Sequence, residues 1–359
     1  MACSSDDSNL VPEENTTDNF DRKAMLVHWA DQIIIPSYQS FNAELATLST
    51  AITTFTANVT PENLSDARQA YRDAYLSFQH VAMFEIGAAE NVRFRDRLNS
   101  YPTDTDEIHS FISTSNYDFS LPSTNDTQGF PALDYLLYGV ATDDASLLEF
   151  YTTDTNAEEN KEYVRAVTST IQARSQEVLS NWQNSFRSSF IENDGPSASA
   201  SVDKLTNDFV FYYEKALRAG KIGIPAGVFS NEPLPGNVEA LYANDLSKQL
   251  ALEALDATQG FFEGKAHTNG ANGPGYDDYL EFLNTIKNGE DLSGLIRAQF
   301  ATAKSEINGL NASFFEQIQT DKNAMLQAYD ELQRNVILMK VDMLQALSID
   351  VDYIDADGD

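Results

Sequence analysis

Residues 61–81 have the sequence PENLSDARQAYRDAYLSFQHV, and their spacing decides the fold of this part of the chain. Pro61 suits the first turn of a helix, where its missing N–H is not needed, and Thr60 supplies a capping oxygen. Apolar side chains then recur every three or four residues, as on one face of an α-helix. They are Leu64, Ala67, Tyr71, Ala74, Phe78 and Val81. The next position of this stripe is Glu85, so the segment predicts an amphipathic helix that leads to a buried acid.

The same helical period continues along most of the chain. It predicts helices at residues 41–55, 164–190, 202–216, 238–262, 276–288, 291–318 and 321–347. Alternation typical of a strand does not extend over a useful length before residue 349. We therefore predict an all-α fold made of two helical-bundle-like domains of long antiparallel helices.

Polar, glycine- and proline-containing segments divide the chain into four parts. Residues 1–20 are predicted to be a disordered lipoprotein tether, because they contain few large apolar side chains. Residues 21–195 form the predicted N-terminal bundle domain, and residues 196–348 form the C-terminal one, with a polar Gly-Pro stretch between them. Residues 349–359 are an acidic tail, for which we expect a short strand followed by solvated residues rather than a calcium loop.

Composition and charge exclude several classes of partner. Hydrophobic residues make up 42% of the 359, and acids exceed bases to give a net charge of −32. This charge repels nucleic acid and anionic lipid. No run approaches eighteen apolar residues, so no membrane-spanning helix is expected. The four histidines, His28, His80, His109 and His267, have no helical ligand spacing, and no conventional histidine-rich metal site is expected.

The N-terminus contains the single cysteine of the sequence, Cys3. A small residue, a cysteine and then polar acidic residues resemble the start of a processed bacterial lipoprotein. This context predicts that Cys3 carries a lipid that tethers the protein to a membrane surface. A charged and apolar signal would have to precede this sequence. The alternative is a chance cysteine in a disordered terminus.

The segment Gly129–Gly139 contains the first candidate functional residue, Asp134. On a helix its neighbours would be Phe130, Leu137 and Tyr138, so we expect the carboxylate to be at least partly buried. A buried carboxylate must be paired, hydrogen-bonded or neutral. Asp134 therefore has either a structural role, accepting bonds from an arginine or from backbone N–H groups, or a role in a functional site.

Three arginines, Arg93, Arg95 and Arg97, lie within five residues of an otherwise acidic chain. Arginine is the usual partner of a buried carboxylate because its planar group bonds bidentately. The functional interpretation joins Glu85, an arginine of this segment (Arg93 or Arg97) and Asp134 in one polar cluster. The alternative is a solvated charged turn.

Two glycine-containing segments have a structural and a functional interpretation. Gly220–Ser230 contains three glycines next to a helix end, which indicates a close backbone approach or a helix-to-helix crossover. Gly264–Gly275, which contains His267, is expected to be a loop before the following helix.

The sequence around Asp134 resembles the signature of the imelysin-like proteins, G-x-H-x-x-E before an apolar helix. Residues 84–87 and 93–104 also resemble the first half of that family. The resemblance implies an all-helical protein with two bundle-like domains that meet at a site. It implies a periplasmic or surface-attached location, frequently as a lipoprotein, and an association with bacterial iron uptake. Some members are classed as metallopeptidases, and others are regarded as binding proteins.

The motif transfers only in part to this chain. Its glycine matches Gly129, its histidine falls on Pro131 and its glutamate falls on Asp134, while Glu85 matches an acidic position of the family. Zinc catalysis usually needs three protein ligands and an activated water, and Pro131 has no ligand atom. We therefore expect no proteolysis. Binding of iron or another hard cation by the oxygens of Asp134 and Glu85 stays open.

These observations predict an imelysin-like bacterial lipoprotein with a non-catalytic binding role in the uptake of iron or a related nutrient. Its site lies between the two domains. The alternatives are a metal-dependent peptidase and a structural or partner-binding lipoprotein with a decayed site. The expected partners are a metal ion or small ligand, the membrane through the N-terminal lipid, and an envelope protein. The expected location is the bacterial cell envelope, facing the periplasm or the surface.

Overall fold

The computed structural model describes residues 19–353, and nearly all of their regular structure is helical. The α-helices of the first half (residues 21–195) are α1 (Arg22–His28), α2 (Ile35–Ala57), α3 (Pro61–Phe78), α4 (Ala88–Val92), α5 (Phe94–Asn99), α6 (Thr105–Thr114), α7 (Gly129–Asp134), α8 (Asp144–Phe150), α9 (Ala157–Asn181) and α10 (Arg187–Glu192). Those of the second half (residues 196–348) are α11 (Ser201–Phe211), α12 (Ile224–Ala226), α13 (Ser247–Phe262), α14 (Tyr276–Phe282), α15 (Leu292–Gly309), α16 (Phe314–Ile337) and α17 (Leu344–Ala346). The predicted all-α fold class is confirmed.

Shorter helical segments connect several of these helices. The π-helical segments are Trp29–Ile34, Tyr135–Gly139, Trp182–Phe186, Tyr212–Gly223 and Leu338–Met343, and the 3₁₀ segments are Pro122–Thr127 and Pro235–Asn237. Pro36 shows one cause of such a segment. It has no N–H to donate, and the turn that precedes it, Trp29–Ile34, has the wider π-helical form.

The first half is built on α2, which packs against α3 and α9. Every member of the α3 stripe from Leu64 to Phe78 is buried, and Val81 continues the stripe beyond the helix end. Thr60 caps α3 as predicted, since its side chain accepts the N–H of Asn63. Three residues connect α2 to α3, and so short a connection places the two helices side by side.

The second half is built on α13, α15, α16 and the π-helical segment Tyr212–Gly223. The predicted helix at 276–288 is wrong beyond residue 282. There the chain forms a hairpin of β1 (Ile286–Lys287) and β2 (Glu290–Asp291), with Ile286 opposite Asp291. The turn residues Asn288 and Gly289 both have positive φ, which is the conformation that favours an Asn-Gly hairpin turn.

The ends of the chain differ in how far the structure describes them. Residues 349–353 form no strand, so that prediction is wrong. Instead, the Asn207 side chain donates to the Asp350 carbonyl at 3.0 Å and accepts the N–H of Asp352 at 3.1 Å. Cys3 and the rest of the predicted tether up to residue 18 lie outside the described residues, as do residues 354–359.

The buried apolar residues form one connected core that extends from Met25 to Ile349. The link between the two halves lies between α10 and α11, where the sequence predicted a boundary. A division into two independent domains stays a prediction. Across residues 19–353, no helix combines the length and the apolar character needed to cross a membrane.

Candidate functional site

The two halves meet at a group of partly buried charges that we call the arginine cluster: Glu85, Arg95 and Asp208. The Arg95 guanidinium donates to Asp208 Oδ1 at 2.8 Å, and its backbone N–H donates to Glu85 Oε2 at 2.9 Å. The backbone N–H of Glu85 donates to Asp208 Oδ2 at 2.5 Å. Only 13% of the Arg95 and Asp208 side chains is exposed. Because Asp208 belongs to α11, the cluster joins the first half to the second.

This cluster contains two carboxylates and one cation. Burial raises the pKa of Glu85 to about 7, Arg95 opposes that rise, and the nearby Asp208 adds to it. Burial also raises the pKa of Asp208, against the lowering by Arg95. A single guanidinium cannot fully compensate two desolvated carboxylates. The carboxylates of the arginine cluster therefore both have raised pKa values.

A second group, the lysine cluster, consists of Lys221, Glu239, Asn99 and Tyr75. Lys221 Nζ lies 2.5 Å from Glu239 Oε2, and no more than 3% of either side chain is exposed. The Asn99 amide donates to Glu239 Oε1 at 2.7 Å, and the Tyr75 hydroxyl donates to the same oxygen at 3.2 Å. Burial lowers the pKa of Lys221, and Glu239 opposes that change. Asn99 and Tyr75 come from the first half, so this cluster also joins the two halves.

A cavity of about 290 Å³ lies between the two clusters. Its charged and aromatic lining includes Arg95, Lys221, Lys215, Asp96 and Tyr212. The acids that pair with the three cations do not line it, so the lining contains three cationic side chains and one carboxylate, that of Asp96. The Tyr212 side chain is 1% exposed, and its hydroxyl has no hydrogen-bond partner among residues 19–353. The cavity thus suits a small ligand with acceptor oxygens.

Among residues 19–353, Asp134 and Glu85 share no hydrogen-bond or ion-pair partner, so the structure does not show the predicted single cluster with a shared arginine. Asp134 is 2% exposed. Its Oδ2 accepts the backbone N–H of Tyr242, and its Oδ1 accepts that of Ala243, both at 2.8 Å. This is the structural role that the sequence left open, because an acid on α7 satisfies backbone donors of the second half.

Burial raises the pKa of Asp134 to about 7, and the two backbone N–H groups oppose the rise. Since both carboxylate oxygens already accept backbone hydrogen bonds, this carboxylate is less suited to the predicted role of metal ligand. Glu85 likewise accepts a backbone N–H and faces Arg95. The two acids have separate hydrogen-bond partners, which does not fit a cation shared between them.

The other residues singled out in the sequence have local structural roles. Gly129 has a φ of +76°, and a Cβ there would lie 2.4 Å from the Leu98 carbonyl oxygen, so the position requires glycine. Pro131 is buried within α7. Arg93 pairs with Asp96 at the surface, and Arg97 donates to the carbonyls of residues 119 and 120. The arginine that reaches Glu85 is Arg95.

Three residues far apart in the sequence form a further group: His80, Glu253 and His267. His80 Nε2 lies 2.6 Å from Glu253 Oε1, and the two imidazole rings stack with 3.5 Å between their centroids. One potential ligand atom from each residue lies within 4.8 Å of the other two. The lack of helical spacing among the histidines therefore did not exclude such a group, because the three residues come from different segments.

Sequence reasoning missed Asp208, Glu239 and Glu253. Only Asp208 left a usable signal, because it stands in α11 between the buried Asn207 and Phe209. Glu239 and Glu253 could not be found in this way, since their partners Lys221 and His80 are set by tertiary contacts.

We predict that Asp134→Ala destabilises the protein by about 2–5 kcal/mol, because two buried N–H groups lose their acceptor. The control is Asp143→Ala. Asp143 is an exposed cap that accepts the N–H of Ser146 at 2.9 Å, so its loss should cost only about 1 kcal/mol. Urea unfolding of both variants measures the difference. Equal losses would contradict the role assigned to Asp134.

We predict that Glu85 makes the protein less stable as the pH rises from 5 to 7. With a pKa of about 7 in the folded state, Glu85 stays protonated there while the unfolded chain has lost its proton. The folded state then binds more protons than the unfolded chain. The free energy of unfolding therefore falls by up to about 1.4 kcal/mol per pH unit. Urea unfolding of wild type and Glu85→Gln at each pH isolates this contribution. Parallel pH profiles would show that the Glu85 pKa is not raised.

The family model described as imelysin matches residues 34–338. Iron-regulated protein A of Synechococcus elongatus is 33% identical over 76 residues, which is 21% of this chain and 21% of that protein. The chain thus spans about a fifth of the length of this curated relative.

Two solved structures have the same fold. One is described as an iron-regulated protein A precursor from Parabacteroides distasonis, with a TM-score of 0.72 and 17% identity over 92% of this chain and 97% of that one. The other is an imelysin-like protein from Psychrobacter arcticum, with a TM-score of 0.69, 17% identity and the same coverage. At this identity the likeness shows the fold alone. The family model covers most of the chain, and the protein therefore belongs to the imelysin family.

Proposed function

We propose that this protein is a non-catalytic binding protein in the acquisition of iron or a related nutrient. It holds a small ligand with acceptor oxygens in the cavity between the arginine and lysine clusters. The observation that carries this proposal is the wall of that cavity. Arg95, Lys215 and Lys221 line it in a chain whose net charge is −32, and the buried Tyr212 hydroxyl lacks a partner among the described residues.

The names of the relatives support the connection with iron. Both the Synechococcus protein and the precursor from Parabacteroides distasonis carry the name iron-regulated protein A. An iron ion that enters as an anionic carboxylate complex would present oxygen acceptors to the donor-rich wall. Phe78, Phe211 and Ile224 supply apolar contacts beside those donors, as small-molecule sites usually do.

The residues that stand at the family motif in this chain favour binding over catalysis. Pro131 offers no ligand atom, and Asp134 uses both carboxylate oxygens on backbone donors. The competing function is a metal-dependent peptidase, which the family designation and the His80–Glu253–His267 group favour. Peptide cleavage that a chelator blocks and that Asp134→Ala abolishes would support the peptidase against our proposal.

We predict that ferric citrate binds in this cavity and that Tyr212→Phe weakens its binding roughly three- to tenfold, the range expected for one lost hydrogen bond. Tyr213→Phe is the matched control. Tyr213 is adjacent and equally buried, but it does not line the cavity and packs edge-on against Phe300 in the core. Titration calorimetry measures both variants.

Citrate alone, haem, calcium and zinc are titrated in parallel to identify the ligand class. Binding of haem but not ferric citrate would replace the proposed ligand. Equal affinities of the two tyrosine variants for ferric citrate, or no heat with any of these probes, would contradict a binding role for the cavity.

We also propose that the protein is anchored to the bacterial cell envelope through a lipid on Cys3. The argument rests on the sequence around Cys3, which lies outside the described residues. Expressed behind a lipoprotein signal, the wild-type protein should partition with membranes and Cys3→Ala should not. Equal partitioning would contradict the anchor. An envelope protein that binds the tethered chain is the partner we would then seek.

A further inference from the structure

We propose that His80, Glu253 and His267 form a binding site for a divalent transition-metal ion, for which Zn²⁺ is the reference. The site is separate from the cavity between the arginine and lysine clusters, since none of the three residues lines that cavity. It therefore goes beyond the proposed binding function and can fail or succeed independently of it.

Three structural segments supply the three ligands. His80 lies in the turn that follows α3, Glu253 stands within α13, and His267 belongs to the loop after α13. α3 and α13 are in direct contact, which brings His80 of the first half to the other two residues. A metal at this point would connect the two halves of the chain.

The distances are close to those of a formed site. The three potential ligand atoms lie within 4.8 Å of one another, and His80 Nε2 and Glu253 Oε1 are only 2.6 Å apart. Ligand atoms of a tetrahedral zinc ion lie about 3.4 Å from each other, given metal–ligand bonds of about 2.0–2.1 Å. Closing the site requires the exposed His267 ring to rotate out of its stack on His80, so that the lone pairs of both imidazoles point at one ion.

The loop that carries His267 is fixed at its base. The Ala266 N–H donates to the Ala271 carbonyl at 2.8 Å, and the Gly270 N–H donates to the Ala266 carbonyl at 3.0 Å. The His28 ring also contacts the Gly264 carbonyl at 2.7 Å. These contacts hold the backbone of His267 beside α13, so little ordering is needed when a metal binds.

The donor set selects the class of metal. Two imidazole nitrogens and one carboxylate oxygen suit Zn²⁺ and its first-row neighbours, whereas Ca²⁺ and Mg²⁺ prefer sites built of oxygen alone. Two charged imidazolium rings would repel each other at a centroid distance of 3.5 Å. Metal binding avoids this repulsion, because imidazole coordinates a metal in its neutral form.

The surrounding charges permit a cation here. Lys304, whose charge acts on Glu253, is paired with Asp256 on the same face of α13, with Nζ 2.6 and 2.8 Å from the two carboxylate oxygens. Its charge is thereby neutralised next to Glu253. His80 is 8% exposed while His267 is exposed, so the site has a buried side and a side open to solvent. The open side leaves a fourth coordination position for water.

The test is a competition titration of Zn²⁺ against a chromophoric chelator, made on the full chain. We expect one tight site per chain in the wild type and at least a tenfold weaker one in His267→Ala and Glu253→Gln. His109→Ala is the matched control, because His109 is another exposed histidine and contacts only the Tyr135 hydroxyl and nearby rings. Its affinity should equal that of the wild type.

Two further measurements keep the result unambiguous. The melting temperature of each metal-free variant shows whether the variant is folded. Zn²⁺ should raise the melting temperature of the wild type but leave the melting temperature of His267→Ala unchanged. Co²⁺ should give the intense visible bands of a tetrahedral site in the wild type only. Equal zinc affinity in all four proteins would place the ion elsewhere on the acidic surface, and full competition by Ca²⁺ would indicate an oxygen site. Either result would overturn the proposal.

Discussion

Charged side chains buried between the two halves of the chain must find opposite charges or hydrogen-bond donors there. This constraint determines how the halves meet. Arg95 of the first half pairs with Asp208 of the second, and Asp134 of the first half accepts two backbone N–H groups of the second. Removing one partner of a buried pair typically costs about 3–5 kcal/mol. If the two halves packed in a different register, all of these groups would lose their partners at once. The observed packing is therefore strongly favoured over shifted ones.

The same constraint connects the family motif to the cavity. Asp134 accepts hydrogen bonds from the backbone N–H groups of Tyr242 and Ala243, which lie three and four residues after Glu239. Glu239 in turn forms an ion pair with Lys221, which lines the cavity. Gly129 lets the motif segment approach the Leu98 carbonyl, next to Asn99 of the lysine cluster. In this chain the motif therefore acts as a support that positions the lysine cluster, and the chemistry of the cavity belongs to other residues.

Burial also raises the pKa of two carboxyl groups toward neutrality. The pKa values of Glu85 and Asp134 are both raised to about 7, and in both cases burial is the largest cause. Neither group has a counter-charge that fully offsets its desolvation. A cationic ligand near Glu85 would favour its ionised form, and an anionic ligand in the adjoining cavity would favour its protonated form. Ligand binding and protonation at the junction are thus expected to be linked.

The sequence by itself determined the helices, because their signals are local. The stripe from Leu64 to Phe78, the cap at Thr60 and the buried position of Asp134 all follow from neighbours three or four residues apart. Family membership was likewise readable from a short motif. The sequence also suggested that an arginine of the segment 93–97 pairs with Glu85, but it named Arg93 or Arg97, whereas the structure has Arg95 there.

Only the tertiary structure decided which charges pair and where ligands can bind. Arg95 and Asp208 are 113 residues apart, and His80 and Glu253 are 173 apart. No local period relates such positions, because their distance depends on how whole helices pack. The same is true of Asp134, whose partners are backbone N–H groups of residues 242 and 243 that have no side-chain signature. Helical periodicity tells which side of each helix is buried, whereas the packing of those buried sides creates the clusters, the cavity and the metal-binding group.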